Sequence, residues 1–511
     1  MPNAIPLFSL LVGAATAVPI VRSLRRDRRD PAGILALAFL PLAVGLAVWC
    51  GLEFARICAL APWSDARLAP TIGLWKGWPL YSPADAGPIN GWLYGPVAAL
   101  LWSPAALADT PTTALRIAGV IDVLLLALPL VLAATSARAD DGARRWPIWS
   151  ALLGIGLLPL FYPTWYALYF LNADAAAVAL GATGCVLLAT PGRFSSRRAH
   201  AAAAFTVLAL WSKQVECLLP AAQLLWLALG SEAGAARRYL GPLLIWILGL
   251  SALFVIGFGP DALWYNMWTV PAHHPIPGGL RAWGGEAAAF FLMTLPLWAA
   301  LAGFGLLLRR GHPSATRRLS LFVYAALALL PLGAMASAKL GADRNSLHSV
   351  YYLIVAVVVA LAQLGTSAES RLTRGLRWLL PAGALAALLV ATRQVSSNPD
   401  FDRADTSAEA FTFAQERRGQ VYFPWNPLAM LMADGAASHF EYGVIDRLYA
   451  GAKLTPARLV RDLPPGLRWI AYPKSNPAGH VMQQQLPQFA RAQALEHWIL
   501  YSVPPPGSPS P

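Results

Sequence analysis

The sequence predicts an all-α polytopic membrane bundle, about twelve transmembrane helices, followed by a small C-terminal α/β soluble domain. Three observations carry that expectation. The 511 residues are 57% hydrophobic and only 13% charged, with mean hydropathy +0.50, whereas an ordinary soluble domain is about 25% charged. Apolar runs of membrane-spanning length recur along residues 1–395. Beyond residue 396 the apolar runs shorten to strand length.

The candidate spans are 4–21, 33–52, 113–135, 147–162, 173–190, 199–212, 215–230, 240–258, 286–308, 319–337, 348–365 and 375–392. The run 91–108 is apolar as well, but Gly91, Gly95, Pro96 and Pro104 interrupt it. It reads as an interfacial or re-entrant segment. Charge supports that choice. With 91–108 excluded, the loops Arg22–Arg29, Arg138–Arg145, Arg193–Arg198, Arg237–Arg238, Arg309–Arg318 and Arg371–Arg377 all fall on one side. They hold roughly twenty Arg and no Lys, against about seven basic residues in the opposite membrane-proximal loops, so their side is cytoplasmic. Both termini then lie outside. The net charge of +13 is explained by this placement rather than by nucleic-acid binding.

The outer side receives loops 53–112, 163–172, 259–285 and 338–347 and the whole tail from Arg393. Spans 199–212 and 215–230 are separated only by a Ser-Lys-Gln turn, so that turn must be buried in protein or line a cavity. In the tail, strands are expected at 420–423, 468–472 and 498–503, with helical segments near 404–418, 427–434, 455–463 and 480–493. That alternation describes a soluble α/β domain over 396–503, ending in a disordered Pro/Ser-rich tail, 504–511. Cys50, Cys58, Cys185 and Cys217 show no metal-ligand spacing and read as small apolar packing residues. The first apolar run lacks a basic leader and is followed by arginines, which does not describe a cleaved signal peptide.

The loop 53–112 organises the rest. Between Pro62 and Pro104 it carries Asp65 amid Trp63, Trp75, Trp78, Tyr81, Trp92 and Tyr94, a composition suited to the membrane interface. A carboxylate held at that depth can act on a substrate with a lipid tail and a polar head; the bland alternative is a loop acid paired with Arg67. Asn172 and Asp174 form a second polar cluster at the mouth of span 173–190, where an Asp also suits a helix N-terminus. Lys213 and Gln214 sit in the Ser-Lys-Gln turn, with Glu216 as an internal partner for the lysine. That lysine either snorkels to water or holds a phosphate. His273 and His274 lie in an outer loop with no further ligands at zinc spacing. Lys339, Asp343, Arg344, Asn345 and His348 crowd a ten-residue connection that is either a phosphate site or a solvated hairpin. No Walker A, GxSxG, HExxH or dinucleotide fingerprint occurs.

This layout resembles the GT-C superfamily of integral-membrane glycosyltransferases, which use polyprenyl-phosphate sugars, in the manner of mannosyl- and arabinosyltransferases. The resemblance covers residues 33–392. It rests on Asp65 in WSDARLAP, on GWPLY (77–81), WLYGP (92–96) and NAD (172–174), and on SKQ (212–214) and KLGADRN (339–345). A full span precedes the Asp-bearing loop, and the loop reads Tyr-Gly-Pro where many relatives read Tyr-x-Pro-Pro. The resemblance implies that Asp65 is the catalytic base or metal-ligand carboxylate, with Asp174 next in line. It makes Lys213, Lys339 and Arg344 the lipid-phosphate residues. The polar groups near them, Tyr94, Asn172, Asp174, Gln214, His273, His274, Asp343, Asn345 and His348, are the further candidates for substrate contact. The richness in Ala and Arg points to a bacterial inner-membrane enzyme, and the arginine loops to a periplasmic C-terminal domain. Its expected partners are a polyprenyl-phosphate sugar, the bilayer and a glycan, lipid or protein acceptor; the expected cofactor is at most a divalent cation, Mg²⁺ or Mn²⁺. The competing classes are a transporter or flippase of lipid-linked sugars and a non-catalytic sugar-lipid binder.

Overall fold

A computed structural model describes residues 4–24, 31–58, 63–136, 145–160, 171–192, 194–230, 234–311, 313–367, 371–397, 405–474 and 480–503. The expected tail 504–511, most of the loop 163–172 and parts of the arginine loops at 22–29 and 138–145 lie outside them.

Each expected span coincides with a helical segment. Seven of the described helices are long and apolar enough to cross a membrane. The others are shorter, and they include Ala173–Ala189, Ser196–Leu210 and the 3₁₀ turn Gln214–Leu218 that runs into Leu219–Ala228. The chain is a multi-pass membrane protein. Helix His348–Ser367 is central: its run SVYYLIVAVVVALAQLG is apolar all round, which suits lipid or protein, and the structure buries most of it in protein. It packs against the helices Pro111–Ser136, Arg145–Leu157, Ala173–Ala189, Gly279–Gly311, Pro313–Ser337 and Arg371–Ser397. Helix Ala235–Phe258, by contrast, exposes Leu244, Ile245, Leu248, Leu253 and Ile256 along one side, a face for lipid. Several long helices contain an internal proline, among them Pro331. The Trp283 indole donates to the Pro331 carbonyl at 2.8 Å. The bond ties the helix Gly279–Gly311 to the helix Pro313–Ser337.

The run 91–108 does not span. It forms a short helix, Pro96–Leu101, and a 3₁₀ turn, Ser103–Leu107, packed with the helix Ser64–Trp75. Gly95 is where the loop drops onto the bundle. Its N–H donates to the Ser212 carbonyl at 3.1 Å, and a Cβ there would lie 1.7 Å from the Trp211 carbonyl oxygen.

Residues 405–503 carry a four-stranded sheet of order β1-β2-β4-β3: β1 Val421–Tyr422, β2 Trp469–Pro473, β3 Arg491–Ala494 and β4 Trp498–Ser502. β1 and β2 are parallel; β4 pairs antiparallel with both β2 and β3. Helices Pro427–Asp434, Glu441–Tyr449 and Pro456–Arg461 lie in the connection between the parallel strands. Phe423, Ile470, Tyr472, Trp498 and Leu500 are part of its core. Two expectations change here. The segment 480–493 is helical only over Val481–Gln484, and its end becomes β3, since Pro487 cannot continue a helix. The aromatic loop is not spread on the bilayer surface. Trp92 and Tyr81 are buried, Trp78 donates to the Gly435 carbonyl, and Trp63 packs edge-on against Trp425, Phe440 and Tyr442. The C-terminal region covers it, and Trp75 alone of the six is mostly exposed.

Candidate active site

Between the bundle and the C-terminal region lies a cavity of ≈ 750 Å³. Four segments shape it. The aromatic loop supplies Trp63, Arg67 and Tyr94; the Ser-Lys-Gln turn and the connection after Ser337 supply Lys213, Gln214, Lys339, Asp343 and Asn345; Glu441–Tyr449 supplies Tyr442 and Asp446. Asn172 and His274 complete its polar wall, while Met267, Trp268, Ile276, Leu332 and Met335 make the rest apolar.

The floor is a buried ion pair. Lys213 Nζ donates to Asp174 Oδ1 at 2.5 Å, and Asn345 Nδ2 to Asp174 Oδ2 at 2.9 Å. Lys213 therefore pairs with Asp174 and not with Glu216, which accepts from Ser349. Tyr94 lies beneath two cations: the Arg67 guanidinium carbon is 5.0 Å and Lys213 Nζ 5.8 Å from its ring centroid, an arrangement that the ring's negative face favours. Arg67 Nη1 donates to the Gly91 carbonyl at 2.9 Å, and its buried Nε has no hydrogen-bond partner. Gln214 Nε2 ties the aromatic loop to the outer helices through the Leu93 and Met267 carbonyls, both at 2.7 Å. Lys339 Nζ donates to the Pro271 carbonyl at 2.6 Å, and burial lowers its pKa.

The wall opposite comes from the C-terminal region. Asp446 is 4% exposed, and its Oδ1 lies 3.5 Å from His274 Nε2. Burial pushes its carboxyl up to about 7 despite the opposing pull of Arg67 and Arg447. Burial, and then Lys339, lower the His274 pKa. Arg447 is fully buried; it donates to the Ser82 carbonyl and to Asn266 Oδ1 at 3.1 and 3.0 Å, pinning this helix to the membrane part.

The expected site residues separate into two groups. Tyr94, Asn172, Lys213, Gln214, His274, Lys339, Asp343 and Asn345 line the cavity, and Asp174 anchors Lys213 from below. Arg344 does not line it: its Nε meets Glu286 at 3.1 Å, because the one-turn 3₁₀ helix Arg344–Leu347 turns it away from Asn345. His273 ends a short helix and bonds its Nδ1 to the Thr269 carbonyl at 2.8 Å, so only one of the two neighbouring histidines faces inward. His348 is wholly buried at the start of the central helix, with both ring nitrogens unpartnered.

Asp65 is also outside the cavity lining. It sits in the first turn of Ser64–Trp75, 2% exposed, and Ser407 Oγ donates to its Oδ1 at 2.7 Å. Burial raises its pKa well above the usual carboxylate range, and nearby Asp405 adds to this while the Ser407 bond opposes it. Its neighbours Trp63 and Arg67 face the cavity instead. Sequence reasoning missed Arg67, Tyr442 and Asp446 as lining residues, and Cys217, which lines the cavity rather than packing inside the bundle. It also missed Asp122, a carboxylate inside a span whose Oδ1 accepts from Trp102 Nε1 at 2.8 Å; a charge amid an apolar run is a legible signal. Among the described residues no three His, Cys, Asp or Glu side chains converge to hold a metal ion.

No protein-family model matches this sequence, and no curated protein does. Among solved structures, the chain is similar to ArnT from Cupriavidus metallidurans in the apo state, at 13% identity and a TM-score of 0.58, over 92% of this chain and 98% of that one. It is also similar to ArnT from Cupriavidus metallidurans bound to undecaprenyl phosphate, at 12% identity and a TM-score of 0.54, over 93% and 99%. The shared architecture is the GT-C membrane fold.

Proposed function

We propose that this chain is a membrane glycosyltransferase that moves a sugar from a polyprenyl-phosphate donor to a hydroxyl acceptor on a glycan, lipid or protein. The observation that carries the reading is the two-sided cavity. Met267, Trp268, Leu332 and Met335 suit a prenyl chain, and Arg67, Lys213 and Lys339 suit its phosphate. The ArnT structure that contains undecaprenyl phosphate supports the same donor class. The arginine-rich loops support a reading in which the cavity and residues 405–503 lie on the far side of the membrane from the cytoplasm, which for a bacterial inner membrane is the periplasm.

In the reaction, the acceptor oxygen forms a bond to the anomeric carbon while the bond from that carbon to the phosphate oxygen breaks. The departing electron pair becomes phosphate charge. Arg67 and Lys339 stabilise that charge where it develops, and Asp174 holds Lys213 in place for the same task. A phosphate leaving group needs little protonation, so one proton acceptor on the hydroxyl side suffices. The transferred sugar is a hexose or a pentose.

The test is to incubate the purified protein in lipid with a panel of polyprenyl-phosphate sugars, with and without hydroxyl acceptors, and to follow release of polyprenyl phosphate. Acceptor-dependent release is expected. Movement of the lipid-linked sugar between leaflets without release would favour a flippase, and binding with neither would favour a non-catalytic sugar-lipid binder.

A further inference from the structure

We propose that Asp446, with His274 as its positioning residue, is the proton acceptor for the attacking hydroxyl; this rests on the glycosyltransferase reading above. Four carboxyls lie at or beside the cavity, and geometry separates them. Asp174 has one oxygen on Lys213 and the other on Asn345. Asp343 uses Oδ1 to cap the turn at Arg344, accepting from its N–H at 2.6 Å. Asp65 is turned to Ser407, outside the lining. Asp446 lines the cavity with His274 Nε2 at 3.5 Å from Oδ1, looser than a direct hydrogen bond, which leaves the carboxylate for a hydroxyl that approaches from the cavity side. That imidazole nitrogen is buried and has no hydrogen-bond partner. Its ring is held edge-on by Tyr449, with centroids 5.9 Å apart.

Asp446 belongs to the C-terminal region, whereas the Lys213–Asp174 pair and the apolar lining at Met267, Trp268, Leu332 and Met335 belong to the bundle. In the reaction the hydroxyl proton passes to the Asp446 carboxylate as the oxygen bonds the anomeric carbon, and it leaves to solvent afterwards. A base is most useful with a pKa near the working pH, and burial sets this carboxyl at about 7. The charged and titratable groups that face it are Arg67 from the Ser64–Trp75 helix, Arg447 and Tyr442 from its own helix, and His274, behind which stands Lys339.

The experiment compares the parent with Asp446→Asn, Asp446→Glu and His274→Ala in lipid, reading acceptor-dependent release across pH and, separately, binding of polyprenyl phosphate alone. In the parent, transfer should rise with pH through an acid limb near 7. Asp446→Asn should lose on the order of 10²–10⁴ of the rate and the limb with it, while polyprenyl phosphate still binds. Asp446→Glu should restore part of the rate. His274→Ala lets water in beside a carboxyl that burial holds up, so its limb should move to lower pH. Transfer by Asp446→Asn within a few-fold of the parent overturns the proposal while the glycosyltransferase reading stands. Binding without turnover in the parent fails that reading, and the proposal falls with it. Should Asp446→Asn not fold, an unshifted limb in His274→Ala overturns the proposal by itself.

Discussion

Asp65 and Asp446 are both nearly buried carboxyls with raised pKa values, and they stand on opposite sides of the junction between membrane part and C-terminal region. One is closed off: Ser407 donates to Asp65, and the side chain is used to dock the start of Thr406–Glu416 against the aromatic loop. The other is open: Asp446 looks into the cavity at His274. Burial alone therefore does not mark a chemical role. What separates the two is whether the polar atoms facing the carboxyl belong to the fold or to an empty space of substrate size.

The largest expected effect tests that contrast directly. Asp65→Asn should keep acceptor-dependent transfer within about tenfold of the parent, where Asp446→Asn loses on the order of 10²–10⁴. Rates measured side by side in the same lipid decide it. A large loss in Asp65→Asn with full activity in Asp446→Asn would reverse the assignment and return Asp65 to the role that its position in the sequence suggests.

Why the sequence pointed to Asp65 and not to Asp446 is a matter of range. The bundle was legible because period and length of apolar runs are local properties, and the polar breaks at Lys213 and Lys339 stood out against them. The aromatic loop looked interfacial because its composition is that of a lipid-facing loop. Its cover, Trp425, Phe440 and Tyr442, lies more than three hundred residues away in the chain. Asp65 meets Ser407 across 342 residues. Nothing near residue 65 announces that contact. Asp446, in EYGVIDRLY, reads as one acid on an amphipathic helix, and only the fold brings it to His274. His273 and His274 are equal in sequence; the end of the short helix Val270–His273 sends them opposite ways.

The second effect is on stability, at the cavity floor. Lys213→Met leaves the Asp174 carboxylate buried with the Asn345 amide as its remaining donor among the described residues. Breaking one side of a buried pair costs about 3–5 kcal/mol, whereas the double variant Lys213→Met/Asp174→Leu should recover much of it. Thermal unfolding in detergent compares the three. Equal midpoints for the single variant and the parent would show that the pair is not buried in the working protein.

A smaller effect belongs to the dock itself. Ser407→Ala removes the donor to Asp65 and also the hydroxyl that accepts from Asn426 Nδ2 at 3.2 Å. Leaving buried polar atoms without partners costs about 1–3 kcal/mol, so protease sensitivity of the C-terminal region should rise. Transfer by the folded fraction should be unchanged. A matching loss of transfer per folded molecule would tie this contact to the chemistry after all.

The smallest effect is a pH dependence of stability at Asp65. Its folded pKa is raised above the ordinary carboxyl value of about 4, so between those two values the native state binds more protons than the unfolded chain. Stability then falls as pH rises through that window, because ionising Asp65 means charging a buried group beside Asp405. Asn at position 65 keeps an oxygen for Ser407 and never ionises. Asp65→Asn should therefore match the parent near pH 4 and unfold roughly 1–3 °C later at pH 8. The measurement is the difference in unfolding midpoint between the two proteins at both pH values. An advantage of the parent that grows with pH would mean that the ionised carboxylate is favoured at this position, which is what a metal ligand or a cation's partner at Asp65 requires. That sign separates a docking carboxyl from a cation-holding one without any knowledge of the sugar.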